Sequence, residues 1–360
     1  NVAIGALALD ANTTASDNTA LGYSALSGAS TGHQNTAMGS NALIGSNGNS
    51  NVAIGYNSQR TNSVGFNNVT LGNQTLYTNS LASNNVAIGH EALRLSTTAN
   101  QIAIGFQAAD ANTTGAANTV VGYTALGANT TGSYNTALGH GTLGANTTAD
   151  HNTAIGYEAL KLNTTGESNL ALGKSALAAN TTGADNIAVG RSTLIANTTG
   201  VGNVGVGRQA LTTNTTANYN TAIGRSALRL NTTGTALVAV GYEALYDNTT
   251  ASHITAIGAR ALKSNTTGAQ NTACGAYALD AVTTASNNTA VGYSALGAHT
   301  GNNCTAVGNK ALQLSTTAER CNAFGSASLD ANTTGDDNNA FGTGSLGANT
   351  TGSNNTAFGG

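Results

Sequence analysis

The sequence is poor in the residues on which most globular and disulfide-rich proteins depend. Its 360 residues include no proline, no tryptophan, one methionine and three cysteines, and only 8% of them are charged, against about 25% in a typical globular chain. Three cysteines cannot build a disulfide framework, and no apolar run approaches the roughly 20 residues that a membrane helix requires. A net charge of -3 gives no general attraction to nucleic acid or to an anionic membrane surface.

A regular repeat takes the place of ordinary domain composition. The segment Asn-Thr-Ala-Ile-Gly at residues 152–156 recurs in twenty-two copies, 17 residues apart except for three steps of 16 that end at Gly55, Gly105 and Gly308. The consensus is N-T-A-I-G-Y-x-A-L-x-x-N-T-T-G-x-x, and its residues are called repeat positions 1 to 17. No linker interrupts the series, so we predict a single domain over residues 1–360. Because the sequence begins and ends inside a repeat, we expect it to be a segment of a longer protein.

The repeat predicts β-structure. Glycine at repeat position 5 and the Asn-Thr-Thr-Gly run would break any helix of useful length, and 17 residues are too few for a pair of helices. We therefore expect two short strands, near repeat positions 1–6 and 7–11, followed by a turn. Identical coils stacked in register form parallel sheets with about 4.8 Å between strands. The sequence thus predicts an all-β fold, a parallel β-solenoid of 17-residue coils.

Four repeat positions are restricted to apolar or small residues. Position 3 is alanine nearly everywhere, position 4 is a larger apolar residue, position 8 is small and position 9 is leucine. Adjacent residues on a strand face opposite ways, so both faces of each strand are restricted, although a lone solenoid has only one interior. We expect the second face to be buried by self-association of several chains. Which face is the interior stays open.

Two further expectations follow from repeat position 4. The last three copies carry phenylalanine there, at Phe324, Phe341 and Phe358. In stacked coils these rings should lie on one another, in a seam that is locally wider because phenylalanine is larger than valine or isoleucine. Cys274 also occupies position 4, and we expect it to be a free thiol in the core.

Repeat position 1 indicates stacking directly, because its substitutions come in neighbouring coils. Most copies have asparagine there, whose amides can hydrogen-bond along a ladder, but Leu237 and Ile254 replace it in adjacent copies, as do Cys304 and Cys321. The Cα atoms of the two cysteines should be about 4.8 Å apart, within the range of a disulfide, while their parallel Cβ directions oppose one. A disulfide and two buried thiols both remain open.

The repeat also resembles a known family. The Asn-x-Ala-Ile-Gly core followed by Ala-Leu resembles the head repeats of trimeric autotransporter adhesins, and the longer unit at residues 152–166 is similar to repeats of bacterial and phage tail-fibre-like proteins. The resemblance implies a left-handed parallel β-roll, three chains side by side as a homotrimer, and a place on a cell or virion surface, but it does not indicate the ligand. Besides other copies of the chain, host-cell or matrix glycans are the partners that we consider. The chain departs from the adhesin pattern, whose repeats are usually shorter, by its additional Thr-Thr-Gly turn.

No arrangement of residues predicts catalysis. The six histidines are scattered, the carboxylates are not clustered, and serines without a base are not nucleophiles. We therefore expect no enzymatic activity, no metal site and no cofactor. One charged column stands out at repeat position 6 of four successive copies, and it is a solvated edge, a set of charges paired with a neighbouring chain, or a site for an anion or acidic glycan. Its members are Lys174, Arg191, Arg208 and Arg225.

The Asn-Thr-Thr turn forms a second candidate column. Each copy is formally an N-glycosylation motif, but asparagine and threonine side chains also satisfy the backbone groups of turns. The asparagines that we take as candidates for glycosylation are Asn112, Asn129, Asn146, Asn163, Asn180 and Asn197.

The sequence favours a structural role. We predict an extracellular fibre or adhesin shaft without catalytic activity, which mediates surface attachment. The alternatives are a glycan-binding or an ice-binding solenoid. Ice-binding solenoids commonly show Thr-x-Thr on a flat strand, whereas the paired threonines of this repeat are adjacent, at positions 13 and 14, and should lie in a turn.

Overall fold

The computed structural model describes all 360 residues and contains three-residue β-strands and no helix. It divides into two compact units, Asn1–Thr182 and Gly183–Gly360. The strands of the first unit are β1 (Val2–Ile4), β2 (Thr19–Leu21), β3 (Thr36–Met38), β4 (Val52–Ile54), β5 (Val69–Leu71), β6 (Val86–Ile88), β7 (Ile102–Ile104), β8 (Thr119–Val121), β9 (Thr136–Leu138), β10 (Thr153–Ile155) and β11 (Leu170–Leu172). Those of the second are β12 (Ile187–Val189), β13 (Val204–Val206), β14 (Thr221–Ile223), β15 (Val238–Val240), β16 (Thr255–Ile257), β17 (Thr272–Cys274), β18 (Thr289–Val291), β19 (Thr305–Val307), β20 (Asn322–Phe324), β21 (Asn339–Phe341) and β22 (Thr356–Phe358).

Within each unit, consecutive strands pair in parallel and in register by repeat position. Ala154 of β10 lies opposite Ala137 of β9 and Ala171 of β11, and in the second unit Ala222 pairs in the same way with Ala239. Each strand therefore advances by one repeat, and each repeat is one coil of a solenoid. The all-β class and the parallel β-solenoid of 17-residue coils are confirmed; the left hand and the continuity of one solenoid over residues 1–360 stay predictions.

The second predicted strand is wrong. Each coil has one strand, at repeat positions 2–4, and positions 6–11 form turns. In the coil that begins at Asn152, Glu158 (φ 55°) and Leu160 (φ 51°) at positions 7 and 9 lie in the left-handed region, which interrupts an extended strand. These turns still bond to the neighbouring coil, because the Leu160 N–H donates to the Ala176 carbonyl at 3.0 Å.

The glycine at repeat position 5 is required by close stacking. Gly156 has φ 124°, and a Cβ on it would lie 2.8 Å from the carbonyl carbon of Gly173 in the next coil. Gly190 meets Gly207 in the same way in the second unit, also at 2.8 Å. A side chain at this position would therefore clash with backbone, which explains why the glycine recurs in all copies. The predicted stacking of these glycines is confirmed within each unit.

The interior of a coil is built from repeat positions 3, 8 and 9. Ala154, Ala159 and Leu160 are fully buried, as are their counterparts in the coils between the two chain ends. Position 4 points away from this core: Leu138 is 45% exposed and Leu172 is 41% exposed. The structure thus settles which strand face is interior. Positions 8 and 9 can both be buried although adjacent, because the left-handed backbone at position 9 breaks the alternation of a strand.

Buried asparagine at repeat position 1 links the coils. The Asn152 Oδ1 atom accepts the backbone N–H of Asn169 in the next coil at 3.0 Å, and its Nδ2 donates to the Gly166 carbonyl at 2.9 Å. The predicted ladder is therefore present, but it runs mainly from side chain to backbone. The Asn152 amide bonds to backbone groups that have no backbone partner in the tight turns. Its own buried polar atoms are thereby hydrogen-bonded as well, as is usual for buried polar groups.

Candidate functional site

One regular surface runs along each unit and is called the outer face, defined by repeat positions 2 and 4 of the strands. These side chains point away from the buried alanine at position 3, so they alternate as the strand pleat requires. None of them is charged in either unit: position 2 is mainly threonine or valine, and position 4 is isoleucine, leucine, valine, methionine, cysteine or phenylalanine. Ile4, Leu71 and Ile223 are 59%, 46% and 41% exposed. A single chain therefore presents a continuous uncharged ladder to solvent in each unit.

The phenylalanines of the last three coils lie on this outer face. Phe324 and Phe341 stack with ring centroids 5.1 Å apart and planes 3° apart, and Phe341 and Phe358 stack at 4.9 Å and 7°. The predicted ring stacking is confirmed. Phe324 is 37% exposed and Phe358 is 77% exposed, so repeat position 4 is not buried within one chain. The placement of Cys274 in the core is wrong for the same reason, because this free cysteine is exposed.

The basic column at repeat position 6 is exposed. Lys174 belongs to the first unit, where its ammonium lies 5.3 Å from the centre of the Tyr157 ring. Arg191, Arg208 and Arg225 occupy three successive coils of the second unit and are called the basic line. None of these four side chains has a carboxylate oxygen within 4.0 Å.

Within the basic line, Arg225 lies over the Tyr242 ring, 5.7 Å from its centre, but no member contacts a carboxylate, and the other arginines of the second unit each have a hydrogen-bond or ion-pair partner. Arg229 donates to the Tyr246 hydroxyl, Arg260 contacts Glu243 at 3.2 Å, and Arg320 contacts Asp337 at 2.8 Å. Like charges that no carboxylate neutralises repel one another when they are about 4.8 Å apart, and an anionic ligand would relieve that repulsion. This charge is the clearest electrostatic feature of the second unit.

The first unit carries an aromatic stack at the same repeat position. Its five rings follow one another with centroids 5.1 to 5.2 Å apart and planes within 18°. The members are His90, Phe106, Tyr123, His140 and Tyr157. The consensus has tyrosine at repeat position 6, but the sequence did not lead us to predict the stack, although residues at the same repeat position of successive coils must lie on one another. Because the ring faces cover one another, solvent meets mainly ring edges.

The candidate glycosylation asparagines lie inside the coils. Asn112, Asn129, Asn146, Asn163, Asn180 and Asn197 are fully buried. The Asn163 Nδ2 atom donates to the Gly166 carbonyl at 2.9 Å and to the Asn146 Oδ1 atom at 3.0 Å. Since a glycan would be attached to this nitrogen, N-glycosylation of the folded coil is excluded on geometric grounds. The turn-satisfying role of these side chains is the one that the structure contains.

The threonines of the turn divide between bonding and exposure. At repeat position 13, the Thr147 hydroxyl donates to the Thr164 carbonyl of the next coil at 3.2 Å. At position 14, Thr165 is exposed. The threonine at position 13 is therefore bonded to backbone, and the one at position 14 is exposed. Because the pair lies in a turn rather than on a flat strand, it gives no support to ice binding at this column.

Cys304 and Cys321 are free and buried, so the disulfide interpretation is wrong for this structure. The Cys304 Sγ atom accepts the Cys321 N–H at 3.3 Å and donates to the Ala318 carbonyl at 3.5 Å. These are the two bonds that asparagine makes at repeat position 1. The thiol therefore substitutes for the amide, and Cys321 continues the pattern with a bond to the Gly335 carbonyl at 3.2 Å.

The histidines and carboxylates form no compact centre. No three His, Cys, Asp or Glu side chains come together so that they could hold a metal ion. No helix long and apolar enough to span a membrane is found. No protein-family model matches the chain, and no curated protein sequence matches it.

Proposed function

We propose that this protein is a non-catalytic structural element of an extracellular fibre or adhesin shaft, which assembles with further copies of itself along the outer face. The observation that carries the proposal is the uncharged ladder at repeat positions 2 and 4, unbroken through each unit. Assembly as a homotrimer and placement on a cell or virion surface rest on the resemblance to adhesin and tail-fibre repeats, and attachment to host glycans is the role that we propose for a shaft at such a surface.

The outer face suits a second copy of the same chain better than an unrelated partner. Each exposed apolar residue buried there contributes about 25 cal/mol per Å² of surface removed from water. The pattern repeats in every coil, so copies of this chain match one another at every step, as symmetric assemblies require. The stacked phenylalanines of the last coils present the largest apolar surface for such a contact.

The oligomeric state tests the proposal. Leu138→Lys and Leu172→Lys place charges on the outer face at side chains that are 45% and 41% exposed and point away from the interior, so the coils should remain intact. We expect the wild-type chain to sediment as a trimer or larger bundle in analytical ultracentrifugation and this variant as a monomer. A control variant carries Thr148→Lys and Thr165→Lys at the exposed turn position and should assemble normally. A monomeric wild-type chain throughout the micromolar range contradicts the proposal.

A second candidate function is the binding of an anionic polymer, such as an acidic glycan, by the basic line. The observation that favours it is the contrast between the basic line, whose arginines have no carboxylate partner, and Arg260 and Arg320 of the same unit, which each contact a carboxylate. An extended polyanion could contact all three charges at once. The two functions use neighbouring but different side chains, since the basic line lies at repeat position 6.

A further inference from the structure

Each unit carries a groove of the same construction, on the side formed by repeat positions 7, 10 and 11. The groove of the first unit has a volume of about 490 Å³, and that of the second about 320 Å³. Both exist because position 10 is glycine where other coils carry a side chain. Gly127 and Gly144 open two successive coils of the first unit, and Gly297 opens one coil of the second. Alanine follows each of these glycines at position 11, so the floor is backbone and methyl groups.

An aspartate closes one end of each groove. Asp110 and Asp280 occupy repeat position 10 in the coil before the glycines. The Asp110 Oδ1 atom would lie 3.6 Å from a Cβ on Gly127, so the carboxylate leans over the groove floor. The Asp280 Oδ1 atom is buried and accepts no hydrogen bond within the chain. Each groove is therefore lined by a carboxylate, which is a hydrogen-bond acceptor when ionised.

A basic residue stands behind each aspartate, at repeat position 10 of the preceding coil. These basic residues are Arg94 for Asp110 and Lys263 for Asp280. Burial raises the pKa of each aspartate, and the positive charge of the basic residue acts in the opposite direction. The carboxylate thus has partial charge compensation on one side and open groove on the other. This arrangement weakens the attraction of the groove for a cationic ligand and favours neutral hydrogen-bond donors.

The far end of each groove pairs a nitrogen donor with a leucine. In the first unit these are Lys161 and Leu162, and in the second Gln313 and Leu314. The Lys161 ammonium is held by Glu158 at 2.7 Å, which leaves further N–H groups for a ligand. Leu162 and Leu314 are 48% and 55% exposed. Both grooves therefore offer an acceptor at one end, a donor at the other and an apolar floor between them.

A ring at repeat position 6 lines each groove as well. It is His140 in the first unit and Tyr293 in the second. Tyr293 is 49% exposed and packs edge to face with Tyr277, with centroids 5.9 Å apart. Rings of this kind supply apolar contact surface beside polar groups. The second unit thus reproduces, with different residues, the parts that line the groove of the first.

We propose that both grooves bind short segments of a neutral polysaccharide. Sugar hydroxyls donate to the aspartate and accept from the lysine or glutamine, while the C–H faces of the rings lie on glycine, alanine and leucine. Concave sites with an apolar lining and a few convergent polar groups are the usual form of ligand sites. The groove of the first unit is one coil longer, by about 4.8 Å, and should accept the longer segment. The inference is independent of self-association, because no lining residue belongs to the outer face.

Saturation-transfer NMR with maltotriose, cellotriose, chitotriose and mannotriose tests this inference on the full chain. We expect at least one of the four to bind. Gly144→Gln combined with Gly297→Gln should fill both grooves, since neither glycine has a positive φ and Gln313 occupies the same repeat position. Binding should fall at least about tenfold, or 1.4 kcal/mol. Ala178→Gln is the matched control, because it adds the same side chain at position 10 outside either groove.

A second variant separates the carboxylates from the shape of the groove. Asp110→Asn combined with Asp280→Asn keeps the size of each side chain, and we expect about fivefold weaker binding because charge-assisted hydrogen bonds to hydroxyls are lost. Failure of all four trisaccharides to bind, binding that survives the glutamine variant, or binding of pentalysine in place of the sugars would each overturn the inference. Sedimentation of the same variants as wild type keeps this outcome distinct from that of the assembly test.

Discussion

At the scale of single residues, His299 makes the stability of its coil depend on pH. It occupies repeat position 12, where most coils have a buried asparagine, and its Nδ1 atom lies 3.1 Å from the Ser315 hydroxyl. Its Nε2 atom is buried without a partner. Burial lowers the pKa of His299 from 6.5 to about 4, against weaker opposing effects of the Gly301 backbone and the Glu319 charge. The folded chain therefore holds this imidazole neutral.

The sign of the pH effect follows from this lowered pKa. Between pH 6.5 and 4 the unfolded chain binds a proton at His299 that the folded chain does not bind. Acid therefore favours the unfolded chain, so the free energy of unfolding has its full value above pH 6.5 and decreases as the pH falls to 4. The loss should reach about 3 kcal/mol. We expect His299→Asn, which restores the usual residue, to remove it when urea unfolding is measured at pH 7 and pH 4.5. His253→Asn, at an exposed histidine, should leave the wild-type pH dependence in place; an unchanged dependence in His299→Asn contradicts the assignment.

Predictions about single residues were confirmed where a repeat position has the same role in every coil. Paired substitution at repeat position 1 indicated stacking, and Leu237 and Ile254 are indeed buried in successive coils. The sequence left a disulfide and two buried thiols open for Cys304 and Cys321, because a Cα spacing alone does not reveal that a thiol can replace both hydrogen bonds of an asparagine. The asparagine at position 12 was likewise left open between turn and glycan, since burial of a turn side chain depends on how the coil closes.

At the scale of the structural element, the single strand of each coil was predictable and the turn after it was not. Alternation around alanine at repeat position 3 placed the strand correctly. Positions 8 and 9 were predicted to belong to a second strand. The residue at position 9 was a signal against that strand, because it is leucine rather than valine or isoleucine. β-branched residues rarely adopt positive φ, and no coil has valine or isoleucine at position 7 or 9. A strand whose residues are equally buried would favour valine and isoleucine at these positions.

The glycine column provides the test at this scale. Gly156→Ala puts a methyl group 2.8 Å from the Gly173 carbonyl carbon and a side chain at φ 124°. The strained backbone alone should cost about 1–3 kcal/mol. We expect faster amide hydrogen exchange in the coils around residue 156 and little change in distant coils of the same unit, because each coil contacts only its neighbours. Gly144→Ala is the control, since its backbone suits alanine. Equal protection in both variants would show that the column tolerates a side chain.

At the scale of the whole molecule, charge is sparse and its pairing decides where a ligand can bind. The net charge is -3, yet the basic line remains without carboxylate partners. The sequence predicted the line itself, because successive copies of repeat position 6 must stack. It could not predict that the line is unpaired: Glu243 lies in the coil after Arg225 but contacts Arg260 and Lys263, at 3.2 and 3.5 Å. The grooves escaped prediction for a similar reason, since they depend on which side chains are missing in adjacent coils.

Binding of a polyanion provides the test of this charge distribution. We expect immobilised dextran sulfate to retain the chain at low ionic strength and to release it as salt rises, because exposed charges are screened beyond a Debye length of about 10 Å at 0.1 M salt. Changing all three arginines of the basic line to glutamine should weaken binding by at least about tenfold, or 1.4 kcal/mol. The control has the same net charge and carries Arg229→Gln, Arg260→Gln and Arg320→Gln, at arginines that already have partners. It should bind nearly as well as wild type, whereas equal losses in the two variants would assign the binding to net charge and return the basic line to the role of a solvated edge.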